Sequence, residues 1–146
     1  MESRGLSAEE AGKNKIIVIL GPTSSGKSDI AIRLAQKFSA KGGPAYGWDG
    51  AEIISADSRQ IYRGMDIGTG KVTKAEQRLA KHWMLDVVSP KTNYSAAKFK
   101  KKADKIIQDI LERGKLPIIC GGTGFWIKSI VDNITYPKVK PDPKLR

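Results

Sequence analysis

Apolar positions along this chain follow two periods, one suited to buried strands and one to helices. Lys15–Leu20 (KIIVIL) is rich in β-branched residues and reads as a fully buried strand ending at Gly21-Pro22. Beyond a glycine-rich turn, Asp29–Ser39 predicts a helix, because Ala31, Leu34, Ala35 and Phe38 fall at i, i+3, i+4 and i+7. The stretch 40–50 (AKGGPAYGWDG) holds four glycines and a proline and reads as a loop, followed by a second short strand, Ala51–Ala56 (AEIISA). Residues 57–71 show no sustained period and predict a long structured loop or a short helix. Thr73–Lys81 reads as a surface helix, with Thr73 and Glu76 at capping-box spacing.

Trp83–Val88 (WMLDVV) is the third strand candidate. Ser95 is placed to cap a long helix, Ala96–Arg113, stopped by Gly114. Its apolar residues Ala96, Phe99, Ala103, Ile106, Ile107 and Ile110 share one face and leave the lysines outside. Leu116–Cys120 (LPIIC) predicts a fourth strand, with Pro117 tolerable near its start. GGTG at 121–124 then leads into a helix over Phe125–Asn133. Strands alternating with helices imply parallel βαβ units, so the fold class is α/β with helices on both faces of a parallel sheet.

Composition narrows the function. The chain has 146 residues, 40% hydrophobic and 28% charged, which suits one globular domain. No apolar run approaches the roughly 20 residues of a membrane span. The polar opening, residues 1–14, reads as a loose tail and not as a secretory leader. One cysteine, Cys120, excludes an internal disulfide and a cysteine-based metal site, and an intracellular location is expected. The net charge of +11 suits a polyanionic ligand or partner. Five lysines lie between Lys98 and Lys105, and four basic residues fall in the last nine positions. Such runs are usually solvated faces, and charge alone does not settle function.

The chemistry is carried first by GPTSSGKS at 21–28, a full match to G-x-x-x-x-G-K-[ST] between a predicted strand and a predicted helix. Gly21 and Gly26 let successive N–H groups point inward, and the helix amino end adds positive potential. Lys27 supplies a charge for terminal phosphate oxygens, and Ser28 offers a hydroxyl to Mg²⁺. The motif grips a polyphosphate but leaves open whether a nucleotide or an isoprenoid diphosphate carries it. Asp57, at the carboxyl end of the second strand, lies at the rim where open α/β sheets bind ligands. Three roles are open to it: holding Mg²⁺, acting as general base, or capping the next turn. Asp86 is a rival carboxylate in a Walker-B-like position. Thr123, in GGTG, offers a hydroxyl at the same rim, although the glycines alone suit tight packing. His82, the only histidine, and the scattered Trp48, Trp83 and Trp126 read as structural.

Taken together, GPTSSGKS, ADSRQIYRGMDIGTGK, HWMLDVVSP, YSAAKF and GKLPIICGGTGFWI resemble the tRNA dimethylallyltransferases, also called tRNA isopentenyltransferases, from about Lys15 to Arg146. The resemblance implies a P-loop NTPase-like three-layer fold over 15–137. It implies a cytoplasmic prenyltransferase that moves a dimethylallyl group from dimethylallyl diphosphate to N6 of an adenosine beside the tRNA anticodon. On it, Gly21, Pro22, Thr23, Ser24, Ser25, Gly26, Lys27 and Ser28 hold the diphosphate and Mg²⁺, with Thr23 close to the reacting end. Asp57 takes the N6 proton; Asp57, Ser58, Arg59 and Gln60 touch the target nucleotide, and Thr123 contacts the tRNA. Two departures stand out. The 40–50 loop is longer than expected, and the chain ends at KVKPDPKLR where the family continues, so the core is expected to be cut short. Residues 138–146 fall where a helical insertion gripping the tRNA begins. Rival readings are an adenylate isopentenyltransferase, a small-molecule kinase, and a non-catalytic domain that binds phosphate or RNA. The DSRQ tetrad and GMDIGTGK favour the tRNA branch.

Overall fold

The computed structural model describes residues 15–38 and 47–137. The expected tail at 1–14, most of the 40–50 loop and the basic end at 138–146 lie outside them. Four strands, β1 (Ile17–Leu20), β2 (Ala51–Ser55), β3 (His82–Trp83) and β4 (Leu116–Gly121), form one sheet in the order β1-β4-β2-β3. Every pairing is parallel, with Ile17 opposite Ile118 and Ile53 also opposite Ile118. The central strands β2 and β4 are buried throughout, as the apolar run of β4 requires, and β2 buries Glu52 and Ser55 along with its apolar residues. Pro117 sits one residue inside β4, as expected.

Alternation along the central strands builds two cores. Ile53, Ile118 and Cys120 face α1 (Lys27–Phe38), whose Ala31, Ile32 and Ala35 cover them. Ile54 and Ile119 face the other way, beneath α3 (Ala96–Glu112) and α4 (Gly124–Val131), which contribute Phe99, Ala103, Ile110, Trp126 and Ile127. Phe99 and Trp126 stack with ring centroids 4.4 Å apart. These are the three layers expected. Ser95 caps α3 by accepting from Lys98 N, and Thr73 and Glu76 form the reciprocal capping box at the start of α2 (Lys74–Leu79). No helix among the described residues is long and apolar enough to cross a membrane.

Three sequence expectations need correction. Trp83–Val88 does not form a strand; β3 is only His82–Trp83, because Met84 (φ 65°) and Asp86 (φ 53°) turn the backbone out of extended geometry. The later part is held instead to the loop after β2, by Val87 N donating to Ile61 O at 2.8 Å and Arg63 N to Val88 O at 2.9 Å around the Tyr62–Val88 bridge. Strand β1 is not fully buried: it lies at the sheet edge, with Val18 38% and Leu20 57% exposed. Finally, α1 begins at Lys27, two residues before Asp29, so the end of the phosphate motif is itself helical.

One buried ion pair ties β2 to the end of α3. Glu52, 5% exposed, accepts from both Nη1 and Nη2 of Arg113 at 2.7 Å and from the Trp83 indole at 2.8 Å. The Arg113 guanidinium, working against the opposing effect of burial and aided by Trp83, holds the Glu52 carboxyl down at about 2, against a usual 4.5. A depressed carboxylate stabilises the fold fully above its unfolded value. That contribution drains away as pH falls from about 4.5 toward about 2. Arg113→Met should therefore lower stability by about 2–3 kcal/mol at neutral pH, below the 3–5 kcal/mol of a fully enclosed pair. Arg113 is partly exposed and Lys115 remains 3.5 Å from Glu52. Urea midpoints at neutral and acid pH check this; the loss should shrink in acid.

Candidate phosphate and acceptor site

The loop between β1 and α1 is shaped by two residues in the left-handed region, Ser24 (φ 64°) and Gly26 (φ 83°). They fold the chain back so that Ser25 N donates to Pro22 O at 3.3 Å and the helix starts at once at Lys27. The unpaired N–H groups of that first turn then face the loop, an arrangement suited to anions. Lys27 is only 8% exposed, and its ammonium donates to Pro22 O at 2.9 Å. Among the described residues no carboxylate lies in ion-pair reach of it. A buried cation held by one carbonyl leaves its charge for a ligand anion.

Asp57 follows β2 and is 5% exposed. Its Oδ1 accepts from Arg59 N at 2.9 Å and Gln60 N at 3.3 Å, so the capping role weighed from sequence is real. Its Oδ2 points the other way. A Cβ built on Gly122 would lie 3.9 Å from that oxygen and 4.0 Å from Lys27 Nζ, so carboxylate and ammonium converge on one glycine. The convergence depends on β4 ending in glycine. A Cβ at Gly121 would sit 2.1 Å from Ala56 O, and only its absence lets the chain after β4 lie against the chain after β2. Gly21 N donates to Gly121 O and Thr123 N to Ala56 O, stitching the three strand ends together.

The remaining predicted residues fall into place around this junction. Thr123 Oγ1 accepts from Ser58 N at 2.9 Å and lies 3.2 Å from Ser58 Oγ, joining the segments that follow β4 and β2. Arg59 is exposed. Gln60 is buried, and its Nε2 donates to Gly70 O at 3.0 Å and Thr69 O at 3.4 Å, so its amide nitrogen is engaged by its own loop. An open cleft of about 610 Å³ is lined by Pro22, Thr23, Asp57, Ser58, Arg59 and Thr123, with Gly122, Gly124 and Phe125. A second cavity of about 220 Å³ follows the phosphate loop, Thr23–Asp29, and reaches Gln60, Gly70 and Glu76. Thr23 lines both and marks their junction.

Sequence reading missed the floor of the site. Ser55, His82 and Cys120 line a small gap together with Lys27, Ser28 and Asp57. Strand alternation placed Ser55 and Cys120 on the α1 face and was the one signal available. Burial pushes the Cys120 thiol up to about 11, with nearby Lys27 opposing, so it is a packing residue and not a nucleophile. Burial also lowers the His82 pKa, and its Nδ1 lies 2.8 Å from Ala80 O, in keeping with a structural ring. Asp86 is not Walker-B-like: it pairs with Lys71 and Lys74 beside β3 and lines neither cavity. Trp126 and Trp83 are packing residues, as expected.

Comparison with known proteins identifies the family. The model of a family described as IPP transferase matches residues 60–146. A tRNA dimethylallyltransferase of Leuconostoc citreum is 52% identical over 117 residues, covering 80% of this chain and 36% of that one. The crystal structure of the full-length tRNA isopentenylpyrophosphate transferase of Bacillus halodurans superposes with a TM-score of 0.75 at 34% identity, over 90% of this chain and 40% of that one. A eukaryotic dimethylallyltransferase, captured acting on tRNA, gives 0.73 at 32% identity, over 88% and 30%. The chain thus spans between 30% and 40% of the length of these proteins. Because the family model matches more than half of the chain and the solved relatives share its parallel-sheet fold, this chain belongs to the IPP transferase family.

Proposed function

We propose that this chain carries the diphosphate-binding and proton-accepting half of a tRNA dimethylallyltransferase. The observation that carries the reading is the pair of cavities meeting at Thr23, one along the cationic phosphate loop and one beside the free oxygen of Asp57. Dimethylallyl diphosphate lies in the first with its diphosphate on Gly21–Ser28 and its allylic carbon at Thr23. The adenosine base, turned out of its stack, enters the second between Ser58, Arg59 and Thr123. The C–O bond to the diphosphate breaks, and the bond from N6 to the allylic carbon forms. The N6 proton passes to Asp57 Oδ2. Amide donors and Lys27 stabilise the charge left on the departing diphosphate. The Asp57 cap fixes the base in place, because Oδ1 is anchored while Oδ2 stays available.

The donor set suits Mg²⁺. Ser28 offers a hydroxyl oxygen, and among the described residues no group of three His, Cys, Asp or Glu side chains gathers to hold a cation unaided. A hard cation here would share its coordination with diphosphate oxygens and water. When bound, it adds positive charge beside the leaving group. The grip on the tRNA stem is assigned to the part of the family's length that this chain does not span, and the reaction to the cytoplasm, where its tRNA substrate is found.

Calorimetry of the chain with dimethylallyl diphosphate and with ATP, each with Mg²⁺, tests the reading. Dimethylallyl diphosphate should bind more tightly than ATP, by about tenfold or more, since the cavity of about 220 Å³ along the phosphate loop suits a diphosphate with a short allylic tail better than a third phosphate carrying a ribose and base. ATP binding with no measurable affinity for dimethylallyl diphosphate would favour kinase chemistry and overturn it.

A further inference from the structure

Lys71 belongs to neither cavity and has no part in the reaction as proposed, yet its surroundings are unusual for a lysine. Its side chain is 4% exposed. Its ammonium donates to Tyr62 O at 2.7 Å, Asp66 Oδ1 at 2.8 Å and Asp86 Oδ1 at 2.5 Å. An ammonium has three N–H donors, so all are satisfied. These oxygens come from three places: the first part of the loop after Asp57, its tip, and the segment after β3. Burial works to lower the Lys71 pKa, and the two carboxylates overcome it and leave it raised. The preceding residue, Gly70 (φ 65°), packs on the phosphate loop so closely that a Cβ there would come 3.1 Å from Thr23 Cγ2.

We infer that Lys71 is a positioning residue: it ties the loop after Asp57 to the segment after β3 and so holds Gly70 against Thr23, where the two cavities join. The inference rests on the reading of that junction given above. A purely stabilising ion pair would be indifferent to which ligand is bound. A clamp on the junction is not, because Gly70 approaches the diphosphate-holding loop Gly21–Ser28 only at Thr23, where the allylic tail lies. Loosening the loop should weaken the hold on the tail and leave the hold on the diphosphate. Displacements near 1 Å at such a contact can cost about a hundredfold in favourable cases.

The experiment compares Lys71→Met and Lys71→Arg with the unaltered chain, by calorimetry with dimethylallyl diphosphate and with inorganic diphosphate, each with Mg²⁺. Lys71→Met should lose about tenfold in affinity for the allylic ligand while its affinity for inorganic diphosphate stays within about twofold. Lys71→Arg, which can span the same carboxylates, should restore most of the difference. Should Lys71→Met fail to fold, Asp86→Asn removes one partly exposed anchor and should show the same split at smaller size. Equal weakening of both ligands, or no change in either, overturns the proposal. Hydrogen exchange reads the clamp without ligand: the amides of Arg63 and Val87, which donate to Val88 O and Ile61 O, should exchange faster in Lys71→Met while β4 stays protected. Unchanged exchange at both also overturns it. If the unaltered chain binds no dimethylallyl diphosphate, the proposed function fails on its own, and the exchange measurement still decides the clamp.

Discussion

Asp57→Asn should reduce prenyl transfer by about 10²–10⁴-fold, the usual contribution of a positioned general base. Asparagine keeps an oxygen that can accept from Arg59 N and Gln60 N, so the cap and the loop should survive. What disappears is the second oxygen's ability to take a proton. Dimethylallyl diphosphate affinity should therefore stay within about threefold, and the loss should fall on kcat more than on KM. The measurement is a prenylation assay on tRNA in a full-length family member carrying this chain in place of its own matching segment. A loss confined to diphosphate binding would show that Asp57 acts on the phosphate side. Retained turnover would show that the proton leaves by another route.

Lys27→Met should have the opposite profile. The ammonium is buried and bonded to Pro22 O, so a diphosphate in the loop would meet a largely desolvated cation. Removing one partner of such a pair costs about 2–5 kcal/mol, which corresponds to a fall in affinity of about thirtyfold to several thousandfold. Methionine retains the stem that packs beneath the loop, and thermal stability should be unchanged or slightly raised, since an unpaired buried charge has gone. Calorimetry with inorganic diphosphate reads the effect directly. Equal affinity in the two proteins would remove the loop from the binding site.

The two substitutions test residues that the sequence exposes to different degrees, and the reason is locality. The phosphate loop is contiguous, and its glycines, lysine and serine act through a backbone shape that eight residues determine by themselves. Asp57 could be placed at a strand's carboxyl end, but not tied to Lys27, because that relation passes through Gly121 and Gly122, far along the chain. The same limit hid Lys71. Nothing in GTGK distinguishes a solvated lysine from one whose partners, Tyr62, Asp66 and Asp86, are brought together by the path of a loop. The third strand was misread for a different reason. Trp83–Val88 has the apolar content of a strand, and the left-handed turns at Met84 and Asp86 leave no mark in hydrophobicity. The exposure of β1 follows from strand order alone, which periodicity does not encode.

Strand order also governs when the protein can become functional. β4 lies between β1 and β2, so the phosphate loop that follows β1 and the carboxylate that follows β2 are not sheet neighbours in their own right. Ile17 must wait for Ile118 before it has a partner. On a ribosome, the amino-terminal strand therefore emerges with its hydrogen-bonding edge bare and stays so until nearly all of the described chain has been made. Pairings this distant in sequence close slowly and leave edges open to wrong partners meanwhile. The candidate site thus waits for β4: a nascent chain released before Gly121 has every residue of the phosphate motif and of the loop after Asp57, and no means of bringing them face to face.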